Sequence, residues 1–144
     1  MCDTVVVVRE DRGSPPGRIA HWVTGTAAPC TGIFKPVRVD TPLDLGPAPD
    51  DRSDERSLWW RHERLHRRVL ADPGRLLPLY AAERDALEAR WLLSPPPPEA
   101  AFAEADPRLA AWERRVAAAA GRETRPAWAR RYWRQRDARA GLGR

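Results

Sequence analysis

The sequence predicts an α+β protein: a small antiparallel sheet of about three strands within residues 1–39, followed by three to four helices within residues 54–144. Three observations predict it. β-Branched and alternating apolar segments are confined to the first 39 residues, a polar, proline-containing linker occupies 40–53, and beyond it apolar residues recur at three- and four-residue spacing. At 144 residues and 16.3 kDa the chain has the length of a single domain, 1–144, able to bury a core of its own.

Val5 to Val8 form a β-branched run, and residues 4–8 read as a strand buried on both faces. "RGSPPG" at 12–17 breaks it. In "RIAHWVTG" Ile19, His21 and Val23 alternate with Ala20, Trp22 and Thr24, which predicts a second strand at 18–24. "GIFKPVRV" at 32–39 predicts the third, and Pro36, which has no N–H for a ladder, places it at an edge or gives it a bulge.

After the linker, Ser53 is placed to cap a helix whose first turn holds Asp54 and Glu55, and Leu58, His62, Leu65 and Val69 give its inner face. Asp72-Pro73 starts a second helix, with Leu76, Tyr80, Leu87 and Trp91 as its stripe and "SPPPP" at 94–98 as its end. Asp106-Pro107 repeats the start signal for a third, with Leu109, Trp112 and Val116 inward and Gly121 as the C-terminal cap. Trp128, Tyr132 and Gln135 predict a basic helix at about 126–139.

The net charge of +5 and a pI near 10.2 would suit an anionic partner. However, all 25 basic residues except Lys35 are arginine, and with abundant Ala and Pro this is the signature of GC-rich codon usage more than of a phosphate-binding surface. Nucleic acid is therefore disfavoured as a partner. Cys2 and Cys30 do not make a disulfide framework and lack metal-ligand spacing, so a reducing, cytoplasmic setting is expected. No apolar run approaches the length of a membrane span, and "VVVV" is too short for a signal peptide, so a soluble, unexported protein is expected.

Cys2 is the principal catalytic candidate. A small second residue permits removal of Met1, which would give one residue both a thiol and an α-amine whose pKa of about 7.7–8.0 suits a general base. "HERLH" at 62–66 matches H-E-x-x-H, the two-histidine pattern of zinc proteases, but Arg61, Arg64, Arg67 and Arg68 would repel a cation and no third ligand is evident. His21 reads as a packed residue, Cys30 as a small turn residue, and Trp59, Trp91 and Trp112 as core. Arg130, Arg131, Arg134, Arg136 and Arg139, interleaved with Trp128, Tyr132 and Trp133, have the composition of a single-strand-binding surface as well as that of a solvated helix.

"MCDTVVVV" resembles the start of the secernin-like dipeptidases, a branch of the N-terminal nucleophile hydrolases whose mature chains begin Cys-Asp-Thr and continue into a hydrophobic strand. "HWVTGTAAPCTGIFKPV" at 21–37 is similar to a segment from the C-terminal third of that family, and "LWWRHERLHRRVL" at 58–70 with the helix at 76–93 follows in the family's order. The resemblance implies a partial αββα fold, Cys2 as nucleophile, a small peptide as substrate, and neither cofactor nor metal.

Only part of the family is present. Between its two matching ends the chain has "REDRGSPPGRIA" where relatives carry most of their core; the family's Lys-Asn-Ser-Asp-Arg stretch is absent, with Asp11-Arg12 matching its last pair. A missing oxyanion donor forfeits about 3–4 kcal/mol of transition-state stabilisation, so efficient dipeptide hydrolysis by this chain alone is not expected. Self-association through an exposed sheet edge is expected instead. The alternative is a non-catalytic basic interaction protein that binds nucleic acid or an acidic partner.

Overall fold

Antiparallel pairing organises the first third of the chain. The computed structural model describes residues 7–10, 19–40 and 42–142. Strand β1 (Val7–Glu10) pairs with β2 (Ile19–Val23), and β2 with β3 (Lys35–Val37), in the order β1-β2-β3. In this register Val7 stands opposite Trp22, and Val23 opposite Lys35. Of the expected strand at 4–8, residues 4–6 lie outside the described residues, and pairing continues to Glu10. The third strand is shorter than expected because its first amides bond elsewhere: Gly32 N–H donates to the Ala28 carbonyl at 2.9 Å and Phe34 N–H to Glu88 Oε1 at 2.8 Å. Pro36 does occupy an edge strand.

Five helices follow among the described residues, one more than the upper expectation. Helix α1 (Leu58–Val69) begins four residues later than the sequence suggested. Asp54 is the reason: its Oδ1 accepts from Arg56 N–H at 2.8 Å and its carbonyl from Ser57 N–H at 3.1 Å, so this acid closes a turn instead of opening the helix. The expected helix from Pro73 is two, α2 (Pro73–Leu76) and α3 (Pro78–Leu93), because Pro78 lacks an amide proton and restarts the helix at its first position.

Helix α4 (Pro98–Ala118) starts well before Asp106-Pro107, with Pro107 in its interior. The buried stripe Ala101, Ala105, Leu109, Trp112 and Val116 is continuous across that proline, and burying it holds the helix together despite one missing hydrogen bond. Its C-cap is Ala119, not Gly121. Helix α5 (Ala127–Ala140) ends on Gly141, whose φ of 70° is the left-handed cap that glycine adopts without a Cβ penalty.

The core lies between the sheet and helices α1, α3 and α4. Trp22 and Ile33 from the strand region meet Leu65 and Val69 from α1, Tyr80 and Trp91 from α3, and Trp112 and Val116 from α4. Tyr80 and Trp112 stack at 5.1 Å, and Tyr80 Oη donates to the Thr31 carbonyl at 3.0 Å, pinning the β2–β3 connection to α3. Helix α5 buries only Ala129 and Ala140 and is attached mainly by charge and one backbone bond: Arg67 reaches Asp137 at 2.6 Å, and Ser53 N–H donates to the Ala140 carbonyl at 2.8 Å. Among the described residues no helix is long and apolar enough to cross a membrane.

Candidate functional site

A cleft of about 460 Å³ lies between the β2–β3 connection, residues 43–46, the start of α1 and one face of α4. Its apolar wall includes Leu58, Phe102, Leu109 and Trp112, and its polar groups include Thr26, Lys35, Arg61 and His62. Local backbone chemistry builds the polar side. Gly25 takes a φ of +66°, and Thr26 N–H donates to Thr24 Oγ1 at 3.3 Å, which folds the Thr24–Thr26 turn over β3. Gly32 permits a close approach: a Cβ there would lie 3.0 Å from Thr26 Oγ1 and 3.4 Å from His62 Nε2.

Lys35 is the centre of this arrangement. Only 2% of it is exposed. Its Nζ donates to the Thr24 carbonyl at 2.7 Å and the Ile33 carbonyl at 2.9 Å, and lies 4.8 Å from the centroid of the Phe102 ring. Burial pushes the ammonium down from 10.5 to about 7, against a smaller opposing pull from Glu88. An arginine in the same place would stay charged at any attainable pH.

His62 and His66 stack at 6.3 Å and converge on one hydroxyl. Thr31 Oγ1 donates to the Ala28 carbonyl at 3.2 Å, lies 3.0 Å from His66 Nδ1 and sits 3.5 Å from His62 Nε2. Burial lowers His62 to about 3 and His66 to about 4, so both rings are neutral near pH 7. Glu63, the acid of the zinc-like pattern, turns away from them: its Oε1 accepts from Arg67 at 2.7 Å. Among the described residues no group of three His, Cys, Asp or Glu side chains is placed to hold a metal ion.

Several cleft residues carry donors without acceptors. Thr26 Oγ1, Arg61 Nε and Trp112 Nε1 are buried with no hydrogen-bond partner among the described residues, and the same holds for His62 Nδ1.

Cys2, the catalytic residue expected from sequence, lies outside the described residues. Cys30 is exposed, and its carbonyl accepts from Arg84 at 2.8 Å. His21 is half-buried on β2 opposite Val37, and Trp91 and Trp112 are core residues, as expected. Sequence reasoning gave Lys35 no role beyond its rarity. That rarity was the available signal, because the single lysine of an arginine-rich chain is buried beside the cleft. No protein-family model, no curated protein and no solved structure matches the chain.

Proposed function

We propose that the chain is a shortened relative of the secernin-like N-terminal nucleophile hydrolases, with Cys2 as thiol nucleophile, its α-amine as base and the cleft as the place of a small peptide. The three strands then correspond to part of one sheet of an αββα core, and amide hydrolysis by this chain alone is weak or absent. The sheet register supports this best. With Val7 opposite Trp22 and Val23 opposite Lys35, the N-terminal end of β1 lies at the same end of the sheet as the Thr24–Thr26 turn and the cleft. Cys2 is five positions before Val7, and extended chain of that length reaches at most about 18 Å.

Intact mass and thiol alkylation test the assignment together. Met1 is expected to be removed, and iodoacetamide is expected to modify Cys2 faster than the exposed Cys30 at pH 7, because a neighbouring amine assists thiolate formation at Cys2. Retention of Met1 in most molecules, or equal rates at the two cysteines, would remove the nucleophile.

One observation favours the interaction-protein reading. On α5, Trp128 is 73% exposed and Tyr132 46%, four residues apart, with Arg136 over the Tyr132 ring at 5.1 Å. Aromatic faces and arginines on one helical face suit stacking on single-stranded nucleic acid. Arginines are spread over the other helices as well, so weak, sequence-independent binding is expected on titration with labelled single-stranded DNA at two salt concentrations. Sub-micromolar affinity near physiological salt, with a steep salt slope, would favour this second reading.

A further inference from the structure

We propose that the proline segment between α3 and α4 docks on the aromatic face of α5 in a second copy of this chain. This is independent of Cys2 and of amide hydrolysis. Residues 94–98 read Ser-Pro-Pro-Pro-Pro, and Pro97 has φ −54° and ψ 145°, the polyproline II conformation. Pro95 and Pro96 each precede a proline as well, which disfavours a helical turn there. Pro95 and Pro97 are exposed, and Leu93 just before them is 89% exposed. The segment is therefore an extended, uncovered apolar ridge, preformed so that docking it orders little further chain.

The receiving face is on α5. Trp128, 73% exposed, and Tyr132, 46% exposed, are four residues apart and so neighbours on the helix surface. Trp128 makes no ring contact among the described residues, whereas Tyr132 is braced by Trp133 at 5.4 Å and by Arg136 at 5.1 Å. Aromatic surfaces of this kind are where polyproline II segments dock. Charge is complementary too. Residues 91–107 include Glu99, Glu104 and Asp106 and no basic residue, whereas α5 carries five arginines against Asp137. Glu99, next to the last proline, and Arg131, one turn from Trp128, are both exposed and have no ion pair among the described residues, and they pair across the contact. A nucleic acid would answer the same arginines but would leave Leu93 and the prolines uncovered.

The two surfaces do not meet within one copy. The proline segment leads into the first residue of α4, and α5 follows its last. At about 1.5 Å per residue the 21 residues of α4 are about 30 Å long. The start of α5 is held at the far end, where Arg75 donates to the Ala119 carbonyl at 2.7 Å and Thr124 N–H to the Ala71 carbonyl at 2.9 Å. Each copy therefore offers one ridge and one aromatic face to its neighbours.

Two variants, each lacking one half of the contact, test this on the full chain after nuclease treatment and removal of nucleic acid. Pro95→Ser with Pro97→Ser removes the ridge, leaves Pro98 at the first position of α4 and puts a capping serine before it. Trp128→Ala removes an exposed ring, so the circular dichroism of the fold is expected to be unchanged. In sedimentation velocity over a concentration series, wild type is expected to associate, and each variant to raise the dissociation constant at least about tenfold. Mixed one to one, the two variants are expected to form a heterodimer that grows no further, because between them they retain one ridge and one aromatic face. Glu99→Arg is expected to weaken association, and Arg131→Glu added to it to restore it. A monomeric wild type, association that neither variant weakens, as pairing of sheet edges would give, or two variants that stay apart on mixing would overturn the proposal. So would association that requires added single-stranded DNA, which would assign the α5 face to nucleic acid.

Discussion

Lys35 couples the cleft to the stability of the fold. Its pKa in the folded chain, about 7, lies below the ordinary 10.5. Between those values the unfolded chain holds a proton that the folded chain has released, so stability rises with pH through this window and is lowest, for this group, at pH 7 and below. The rise amounts to at most about 1.4 kcal/mol per pH unit. Thermal melts at pH 7 and pH 9 are expected to show a higher midpoint at pH 9 for wild type and no such rise for Lys35→Met. His62 and His66 act below this window. Both are depressed by burial, so the unfolded chain takes up protons first as pH falls below about 6.5, and stability declines toward pH 4. The location of Lys35 was only partly legible in the sequence: its uniqueness is visible there, but the partners that bury it come from Thr24, Ile33 and Phe102, and nothing in local spacing joins β3 to α4.

At the scale of elements, proline position decides more than helix propensity. Pro78 and Pro98 open helices at their first positions, where the missing amide proton costs little, whereas Pro107 sits in the interior of α4 and deprives the Ala103 carbonyl of its usual partner. Pro107→Ala is expected to raise stability by about 1–2 kcal/mol, the regained hydrogen bond outweighing the added freedom of the unfolded chain, as read from urea denaturation midpoints. An unchanged or lowered midpoint would mean that α4 bends there for a packing reason. The helices themselves were legible because their stripes are long: Leu65 and Val69, Tyr80 with Leu87 and Trp91, and Leu109 with Trp112 and Val116 are all buried where spacing placed them. Their starts were misplaced at Ser53 and Asp106, where a residue type that caps helices serves a turn in one case and lies mid-helix in the other. The backward extension of α4 is visible in hindsight in Ala101 and Ala105, but alanine gives too weak an apolar signal to outweigh Asp106-Pro107.

Over the whole molecule the helical part carries the core and the sheet adds to one side of it. Trp22 and Ile33 are the strand-region members of the core, while α1, α3 and α4 supply most of the rest. Strand β3 has three residues and stands at one edge of a three-stranded sheet. Leu93, 89% exposed, and Val39, 80% exposed, add apolar surface that such a fold leaves uncovered. A strong helical circular dichroism signal, a broad thermal transition and concentration-dependent self-association are therefore expected, as light scattering and melts at several concentrations will report. The cleft measures about 460 Å³, and in the reading proposed above the chain lacks the stretch in which the resembled family carries most of its core. Hydrolysis of dipeptides by the purified chain, with Cys2→Ala measured beside it, therefore tests most directly whether this is a hydrolase without its core. Little or no release above the Cys2→Ala background is expected; sustained cleavage by a sharply melting monomer, abolished by Cys2→Ala, would contradict it.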